Sequence, residues 1–389
     1  MSRQKIILLG ATGSIGLSTV DLISKNSERY DVVCVVANRN AEGLAKAARR
    51  VQARHAVLND ETELDTLADL LKGSGITVSG GRQAVLDQCA EPVDLVVSGM
   101  VGAAGLEPNL AAIGAGSDLA LANKESLVCA GKLVLDAVKR NNVRLLPVDS
   151  EHNAVFQVFE RSNADHIEKV IITASGGPFR HASKERMRAA TPADALKHPN
   201  WEMGARITID SATMMNKAFE VIETLHLFPL KPSQIEVVVH PQSIVHGMVQ
   251  YSDGSLLAQM GPADMRVPIA HCLGHPERLS VDAQRLDLAT LGQLTFEAPD
   301  AQRFPSMRLV WDVIDKGDGA GAAFNAADEM AVSAFLKERI GFLDIVSVVE
   351  DALGQMEARN LLSQPSSIAE VLHIDGEARR IASDIISTI

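Results

Sequence analysis

The first 150 residues repeat one alternation: a short apolar run, a glycine-rich or polar turn, then a stretch with helical spacing. The runs lie at residues 5–9, 32–36, 55–58, 94–98, 118–122 and 145–148. Strands separated by helices pair through crossovers, so this pattern restricts the N-terminal part to a Rossmann-like doubly wound parallel sheet, covered on both faces. Such sheets bind ligands at the carboxyl ends of their strands. The residues that end each run are therefore the ones to read for function.

The first run, Lys5-Ile6-Ile7-Leu8-Leu9, stops at Gly10-Ala11-Thr12-Gly13-Ser14-Ile15-Gly16, and helical spacing resumes at Leu17. Strand, glycine turn and helix present main-chain N–H groups and a helix N-terminus to a pyrophosphate. The spacing is GxxGxxG rather than GxGxxG, so the loop alone reads equally well as a tight turn. The second run ends in Ala37-Asn38-Arg39-Asn40, with no acid placed for a ribose 2′-hydroxyl. An arginine there favours a 2′-phosphate, hence NADP over NAD; the alternative is an exposed loop arginine. Asn123-Lys124-Glu125-Ser126 follows the fifth run, where Lys124 can hold an anionic or carbonyl oxygen and Glu125 a cofactor hydroxyl, or the pair simply starts a helix.

The last run leads into Asp149-Ser150-Glu151-His152-Asn153. Two carboxylates one residue apart share one side of an extended strand end, and like charges that close need a cation. Hard oxygen ligands suit Mg²⁺ or Mn²⁺. An isolated Asp-x-Glu is more often a solvated strand terminus. What gives it weight is the rest of the chain.

Beyond an amphipathic helix, a strand at 169–174 runs into Ser175-Gly176-Gly177-Pro178-Phe179, an anion nest or a plain turn. Residues 180–206 are polar and broken by Pro192 and Pro199, with His198-Pro199-Asn200-Trp201 near the end. A tryptophan there reads as part of a flap laid over ligand, or as an anchor to the core. A short strand at 207–209 is expected to give way at Asp210-Ser211, which caps the following helix; on it Asn216, Lys217 and Glu220 share a face. Taken alone that trio is a surface ion pair. The functional reading makes Ser211, Asn216 and Lys217 a phosphate seat and Glu220 the third metal ligand, after Asp149 and Glu151.

His240-Pro241-Gln242-Ser243-Ile244-Val245-His246 is expected as a strand with two structural histidines. Strands near 235–239, 245–251 and 256–259, with Asp253-Gly254 as a hairpin turn, give an α+β domain with a mostly antiparallel sheet and a plausible dimer surface. Residues 306–389 read as an all-α helix bundle, with helices at 306–314, 320–337, 345–357, 367–371 and 376–386. Asn325, Asp328 and Glu329 are expected to cap and solvate it. The expected partition is a cofactor domain over 1–149, a catalytic domain over 150–278 with a flap at about 180–206, a connection over 279–305 and the C-terminal helices.

Composition narrows the partners. A net charge of −12 argues against nucleic acid, which needs clustered Lys and Arg. Cys34, Cys89, Cys129 and Cys272 have no metal or redox spacing and read as small core residues of a reducing compartment. No apolar run approaches the roughly 18 residues of a membrane span, and the first strand leaves no length for a leader, so a cytoplasmic location is expected.

Seven motifs then fall in one order: Gly10 to Gly16, Ala122-Asn123-Lys124-Glu125-Ser126, Pro147 to Asn153, Ser175 to Phe179, His198 to Trp201, Asp210-Ser211-Ala212-Thr213-Met214-Met215-Asn216-Lys217, and His240 to Ser243. Together they resemble the 1-deoxy-D-xylulose 5-phosphate reductoisomerases over nearly the whole chain. The resemblance implies an enzyme that uses NADPH and Mg²⁺ or Mn²⁺ to rearrange and reduce 1-deoxy-D-xylulose 5-phosphate to 2-C-methyl-D-erythritol 4-phosphate, in non-mevalonate isoprenoid synthesis, typically as a homodimer. It implies metal ligands at Asp149, Glu151 and Glu220, with Ser150 and Lys124 touching substrate beside them. Ser175, His198, Ser211, Asn216 and Lys217 match the substrate and phosphate positions. Thr12, Gly13, Ser14, Ile15, Asn38, Arg39, Asn40, Asn123, Glu125 and Gly204 match the NADPH positions, and Trp201 and Met203 the flap. Ala11 stands where the family often has Ser, and Asn38-Arg39 where it has Gly-Lys. The rival readings are an NADP-dependent dehydrogenase of a phosphorylated aldehyde without isomerisation, and a non-catalytic dinucleotide sensor.

Overall fold

The protein is described by a computed structural model covering residues 3–201 and 203–389. Its backbone divides into two compact units.

The first unit takes in residues 1–126, 134–153 and 264–283. It is built on seven parallel strands: β1 (Gln4–Leu9), β2 (Tyr30–Ala37), β3 (His55–Leu58), β4 (Thr77–Gly80), β5 (Leu95–Ser98), β6 (Asp118–Leu121) and β7 (Leu145–Pro147). Their order is β4-β3-β2-β1-β5-β6-β7, so the direction of winding reverses between β1 and β5. That reversal opens the crevice in which doubly wound folds hold ligands. Ile6, Ile7, Leu8 and Leu9 are wholly buried, which is why the central strands read as unbroken apolar runs. β4 was absent from that reading because it is an edge strand, none of whose residues is buried, and its Thr77-Val78-Ser79-Gly80 carries no apolar run.

The expected strand end at Asp149 is instead a helix start. β7 stops at Pro147, and a helix runs Ser150–Val158 with Glu151 in its first turn. The Asn153 N–H donates to the Asp149 carbonyl (2.8 Å) and the Glu151 N–H to Asp149 Oδ1 (3.2 Å), so Asp149 caps the helix. Both carboxylates therefore sit at the positive end of a helix rather than alternating along a strand.

The second unit takes in residues 127–133, 154–263 and 284–389. Its sheet contains β8 (Ile167–Ala174), β9 (Ile235–Val239), β10 (Val245–Tyr251) and β11 (Leu256–Met260) in the order β11-β10-β8-β9. Only the β8–β9 pair is parallel, so the sheet is mostly antiparallel as expected. The helices Ser306–Lys316, Asp318–Leu336, Asp344–Ala358 and Ile368–Ile386 form the C-terminal part.

Three local expectations fail here for physical reasons. Residues 207–209 are not a strand: one helix spans Ala205–Ala212, with Asp210 and Ser211 inside it, and Met214 at φ +62° joins it to the helix Met215–Leu227. Burial of Thr208, Ile209 and Asp210 on one turn overrides the β preference of Ile207-Thr208-Ile209. His240 to Ile244 are a turn, not a strand, because Pro241 has no N–H for a ladder and Ser243 takes φ +50°. Residues 367–371 and 376–386 belong to a single helix, since Val371, Ile374, Ala378 and Ile381 keep one buried stripe across Gly376.

Candidate active site

In the first unit the glycines of the opening turn are fixed by close approach. Gly10 has φ +80°, and a Cβ there would lie 2.5 Å from the Gly99 carbonyl oxygen; a Cβ on Gly16 would lie 2.2 Å from the Gly10 oxygen. The turns after β1 and β5 are thus packed backbone to backbone at the point where the winding reverses. Gly13 precedes the helix Ser14–Lys25 with no side-chain cap, which leaves that N-terminus to main-chain N–H groups alone. Thr12, Ser14 and Ile15 lie on the same turn. Asn38, Arg39 and Asn40 follow β2 on the same edge. Asn38 Oδ1 accepts from Asn59 Nδ2 (3.3 Å), Asn40 Oδ1 caps the next helix by accepting from Gly43 N–H (2.9 Å), and Arg39 reaches Asp60 at 3.3 Å from an exposed position.

Asn123 and Glu125 are buried and shape a loop. Asn123 Nδ2 donates to the Gly102 carbonyl (2.9 Å) and to Glu125 Oε2 (2.8 Å), while the Gly102 N–H donates to Glu125 Oε1 (3.1 Å). Lys124 Nζ meets Asp149 Oδ2 at 2.7 Å with both side chains about nine-tenths buried. Ser150 Oγ donates to Glu151 Oε2, and the buried His152 ring lies 3.3 Å from Asp149 Oδ1. One acid pair, one ammonium and one hydroxyl are thus gathered at one helix start.

In the second unit Ser175 follows β8, and the two glycines after it take φ +80° and +62°. A Cβ on Gly177 would lie 2.8 Å from the Ser211 carbonyl, so the turn is pressed against the helix that carries Ser211. Ser175 Oγ accepts from Gly177 N–H at 3.2 Å and lies 2.9 Å from His198 Nε2. His198 Nδ1 accepts the N–H groups of Asn200 (3.2 Å) and Trp201 (2.9 Å). An Nδ1 that accepts leaves the ring proton on Nε2, so His198 donates to Ser175. With two donors aimed at its oxygen, the Ser175 hydroxyl has its own proton to give to an acceptor such as a phosphate oxygen. The Trp201 ring lies 6.0 Å from His246. On the helix Met215–Leu227, Asn216 Nδ2 and Lys217 Nζ both donate to Glu220, whose carboxylate is buried. Gly204 precedes the helix Ala205–Ala212 with no side-chain cap, and Met203 lies one residue before it.

Models of this family match three segments: 1-deoxy-D-xylulose 5-phosphate reductoisomerase over residues 6–131, its C-terminal domain over 145–228, and the DXP reductoisomerase C-terminal domain over 260–381. The chain is 50% identical over 384 residues to the 1-deoxy-D-xylulose 5-phosphate reductoisomerase of Rhodospirillum centenum, covering 99% of this chain and 94% of that protein. The chain belongs to the 1-deoxy-D-xylulose 5-phosphate reductoisomerase family. The Zymomonas mobilis reductoisomerase is 48% identical over 100% of both chains. A solved structure of the Zymomonas mobilis enzyme in complex with NADPH superposes with a TM-score of 0.94 at 46% identity, covering 100% of both chains. A structure of DOX-P reductoisomerase in complex with NADPH, fosmidomycin and magnesium gives 0.95 at 39% identity, covering 99% of this chain and 98% of that one.

One part of this reductoisomerase fold escaped the sequence altogether. Arg206, at the start of the helix Ala205–Ala212, reaches Glu329 (2.7 Å) and Asn325 (2.7 Å), with Asp210 and Asp328 each at 3.6 Å. Arg379 closes the network on Glu329 and Asp375. Asn325 and Asp328 are wholly buried and Glu329 is partly buried, contrary to the expectation that all three are solvated caps. They are polar because two part-buried arginines, Arg206 and Arg379, take them as partners, which no helical periodicity reveals. Burial and the neighbouring Asp210 charge push the Asp328 carboxyl well above its ordinary value.

Burial also lowers three histidines, His198, His246 and His271, to about 4. Each is neutral in the folded chain and protonates near 6.5 when unfolded, so the unfolded chain binds more protons between those values. Their contribution to stability is whole above pH 6.5 and is lost as pH falls towards 4. The urea midpoint is expected to fall over that window, and His246→Gln to flatten the fall; an unchanged slope would remove His246 from the effect.

Proposed function

We propose that the chain carries out the NADPH- and divalent-metal-dependent rearrangement and reduction of 1-deoxy-D-xylulose 5-phosphate to 2-C-methyl-D-erythritol 4-phosphate, a step of non-mevalonate isoprenoid synthesis. What carries the reading is the 50% identity to a named reductoisomerase over 99% of the chain. Residues 1–149 serve NADPH, residues 150–278 the metal and substrate with the flap at about 180–206, and residues 306–389 are the C-terminal helices.

Asp149, Glu151 and Glu220 are the metal ligands in this reading. An all-oxygen, all-anionic donor set suits a hard divalent cation, and the local structure fits: the Asp149 and Glu220 carboxylates each stand beside a lysine ammonium group. When bound, Mg²⁺ or Mn²⁺ supplies Lewis-acid stabilisation of the oxyanions that form as the carbon skeleton rearranges. Lys124 and Ser150 orient the substrate oxygens beside these acids. Ser175, Ser211, Asn216 and Lys217 hold the phosphate, with the Ser175 proton aimed outward by His198. Trp201 and Met203 exclude water from above. For the cofactor, Thr12, Gly13, Ser14 and Ile15 offer the pyrophosphate their backbone, Asn38, Arg39 and Asn40 take the adenosine 2′-phosphate side, and Asn123, Glu125 and Gly204 form the rest of its seat. A retro-aldol and aldol course and a one-step 1,2-shift make the same demands on these residues. Among the described residues no helix is long and apolar enough to cross a membrane. The protein works as a cytoplasmic homodimer in this reading, and the exposed Leu256 and Leu257 on the edge strand β11 support a self-association surface.

The test is NADPH oxidation with 1-deoxy-D-xylulose 5-phosphate, with and without chelator. Turnover that stops with chelator and returns with added Mg²⁺ or Mn²⁺ is expected. Chelator-resistant hydride transfer would instead support the plain dehydrogenase.

A further inference from the structure

The flap is tied to the sheet of the second unit at two places, and one side chain makes the second tie. β8 and β9 are parallel neighbours whose last residues, Ala174 and Val239, are in register. Ser175 and the turn at His240 to Ser243 therefore leave the same edge side by side. The first tie is His198, held between Ser175 Oγ and the N–H groups of Asn200 and Trp201. The second is Asn200, whose Nδ2 donates to the Pro241 carbonyl (2.6 Å) and to Ser243 Oγ (2.9 Å). A carbonyl can only accept, so the amide orientation is forced, and both of its hydrogens are used.

The anchor itself is stiff. The His240 N–H donates to the Ala174 carbonyl (2.7 Å), and His240 Nδ1 meets the Thr295 carbonyl (2.8 Å). Gln242 pairs with Thr295 in both directions, Nε2 to Oγ1 (3.0 Å) and N–H to Oε1 (3.3 Å). A turn held at four points and ending in Ser243 at φ +50° moves little, so it can fix what is attached to it.

We propose that Asn200 is a positioning residue for turnover: by clasping the flap to this turn it holds Trp201 over the substrate and keeps His198 aligned with Ser175. The inference rests on the proposed function through the flap, and it adds a residue that touches neither substrate nor cofactor. Asn200 is exposed, so its replacement leaves the core intact. Asn200→Asp keeps the shape and removes both donors, placing a carboxylate against the Pro241 carbonyl; Asn200→Ala removes the side chain.

Both variants are made in the full chain carrying Trp311→Phe, which leaves Trp201 as the only tryptophan. Losing the bond to the Pro241 carbonyl in both variants, and the one to Ser243 as well in Asn200→Ala, is expected to lower kcat/KM for the sugar phosphate about tenfold or more, with the NADPH dissociation constant unchanged. Trp201 emission is expected to move to the red and become more open to acrylamide quenching. Parental kcat/KM in both variants would overturn the proposal. So would lost activity with unchanged Trp201 emission, or a loss confined to NADPH affinity. If the parent itself fails to oxidise NADPH with this substrate, the functional reading falls, while the Trp201 emission of the two variants still decides whether the clasp exists.

Discussion

Glu220→Gln is expected to abolish metal-dependent turnover, with kcat falling about a thousandfold or more, on the order of 4 kcal/mol of lost transition-state stabilisation. Glutamine keeps the volume and one carbonyl oxygen of the side chain but loses the charge that the proposed third metal ligand would supply. Lys217 and Asn216 both donate to this carboxylate, so the substitution also takes the negative charge out of a buried ion pair. Removing one partner of a buried pair commonly costs about 3–5 kcal/mol, so a drop in stability is expected as well. The two effects are read separately, stability by a thermal melt and turnover by chelator-sensitive NADPH oxidation in protein shown to be folded at the assay temperature. Chelator-sensitive oxidation of NADPH at near-normal rates in Glu220→Gln, at low manganese, would remove Glu220 from the ligand set.

The same helix shows how much of the site was legible in advance. Asn216, Lys217 and Glu220 lie three and four residues apart, and helical spacing alone puts them on one face; the structure adds that this face is buried, which turns a surface ion pair into a charged interior. Legibility failed where a residue's neighbours come from distant parts of the chain. Asp328 looks like any polar helix residue until Arg206, more than a hundred positions earlier, is found 3.6 Å away. Ile207-Thr208-Ile209 has strand residues, yet tertiary burial makes it helix. The central strands were plain because burial on both faces forces an apolar run, and β4 was missed because an edge strand carries no such constraint. Asn200 sat inside a quoted motif without a role, because its acceptors are a backbone carbonyl and a serine hydroxyl more than forty residues away.

Gly16→Ala is expected to produce the second large effect, and to do so at the cofactor rather than the metal. The added Cβ would lie 2.2 Å from the Gly10 oxygen and 2.6 Å from Ala11 backbone atoms. Those contacts are with main chain, and a Cβ has no rotamer by which to escape, so the turn or the helix Ser14–Lys25 must move. Overpacking of this kind costs about 1–3 kcal/mol of stability. In the proposed function the movement also carries the N–H groups of the turn away from the pyrophosphate they would hold. NADPH affinity is expected to fall about a hundredfold, or roughly 2.7 kcal/mol by RT ln K. Gly114→Ala is the control, because a Cβ there meets nothing within 4 Å in the helix Leu106–Gly114, and a slight gain in stability with unchanged NADPH binding is expected. Calorimetric titration with NADPH beside a thermal melt distinguishes the two readings of the turn. If the glycines serve only a tight connection, Gly16→Ala lowers the melting temperature and leaves the NADPH dissociation constant where it was; if they bring the backbone up to a phosphate, both change together.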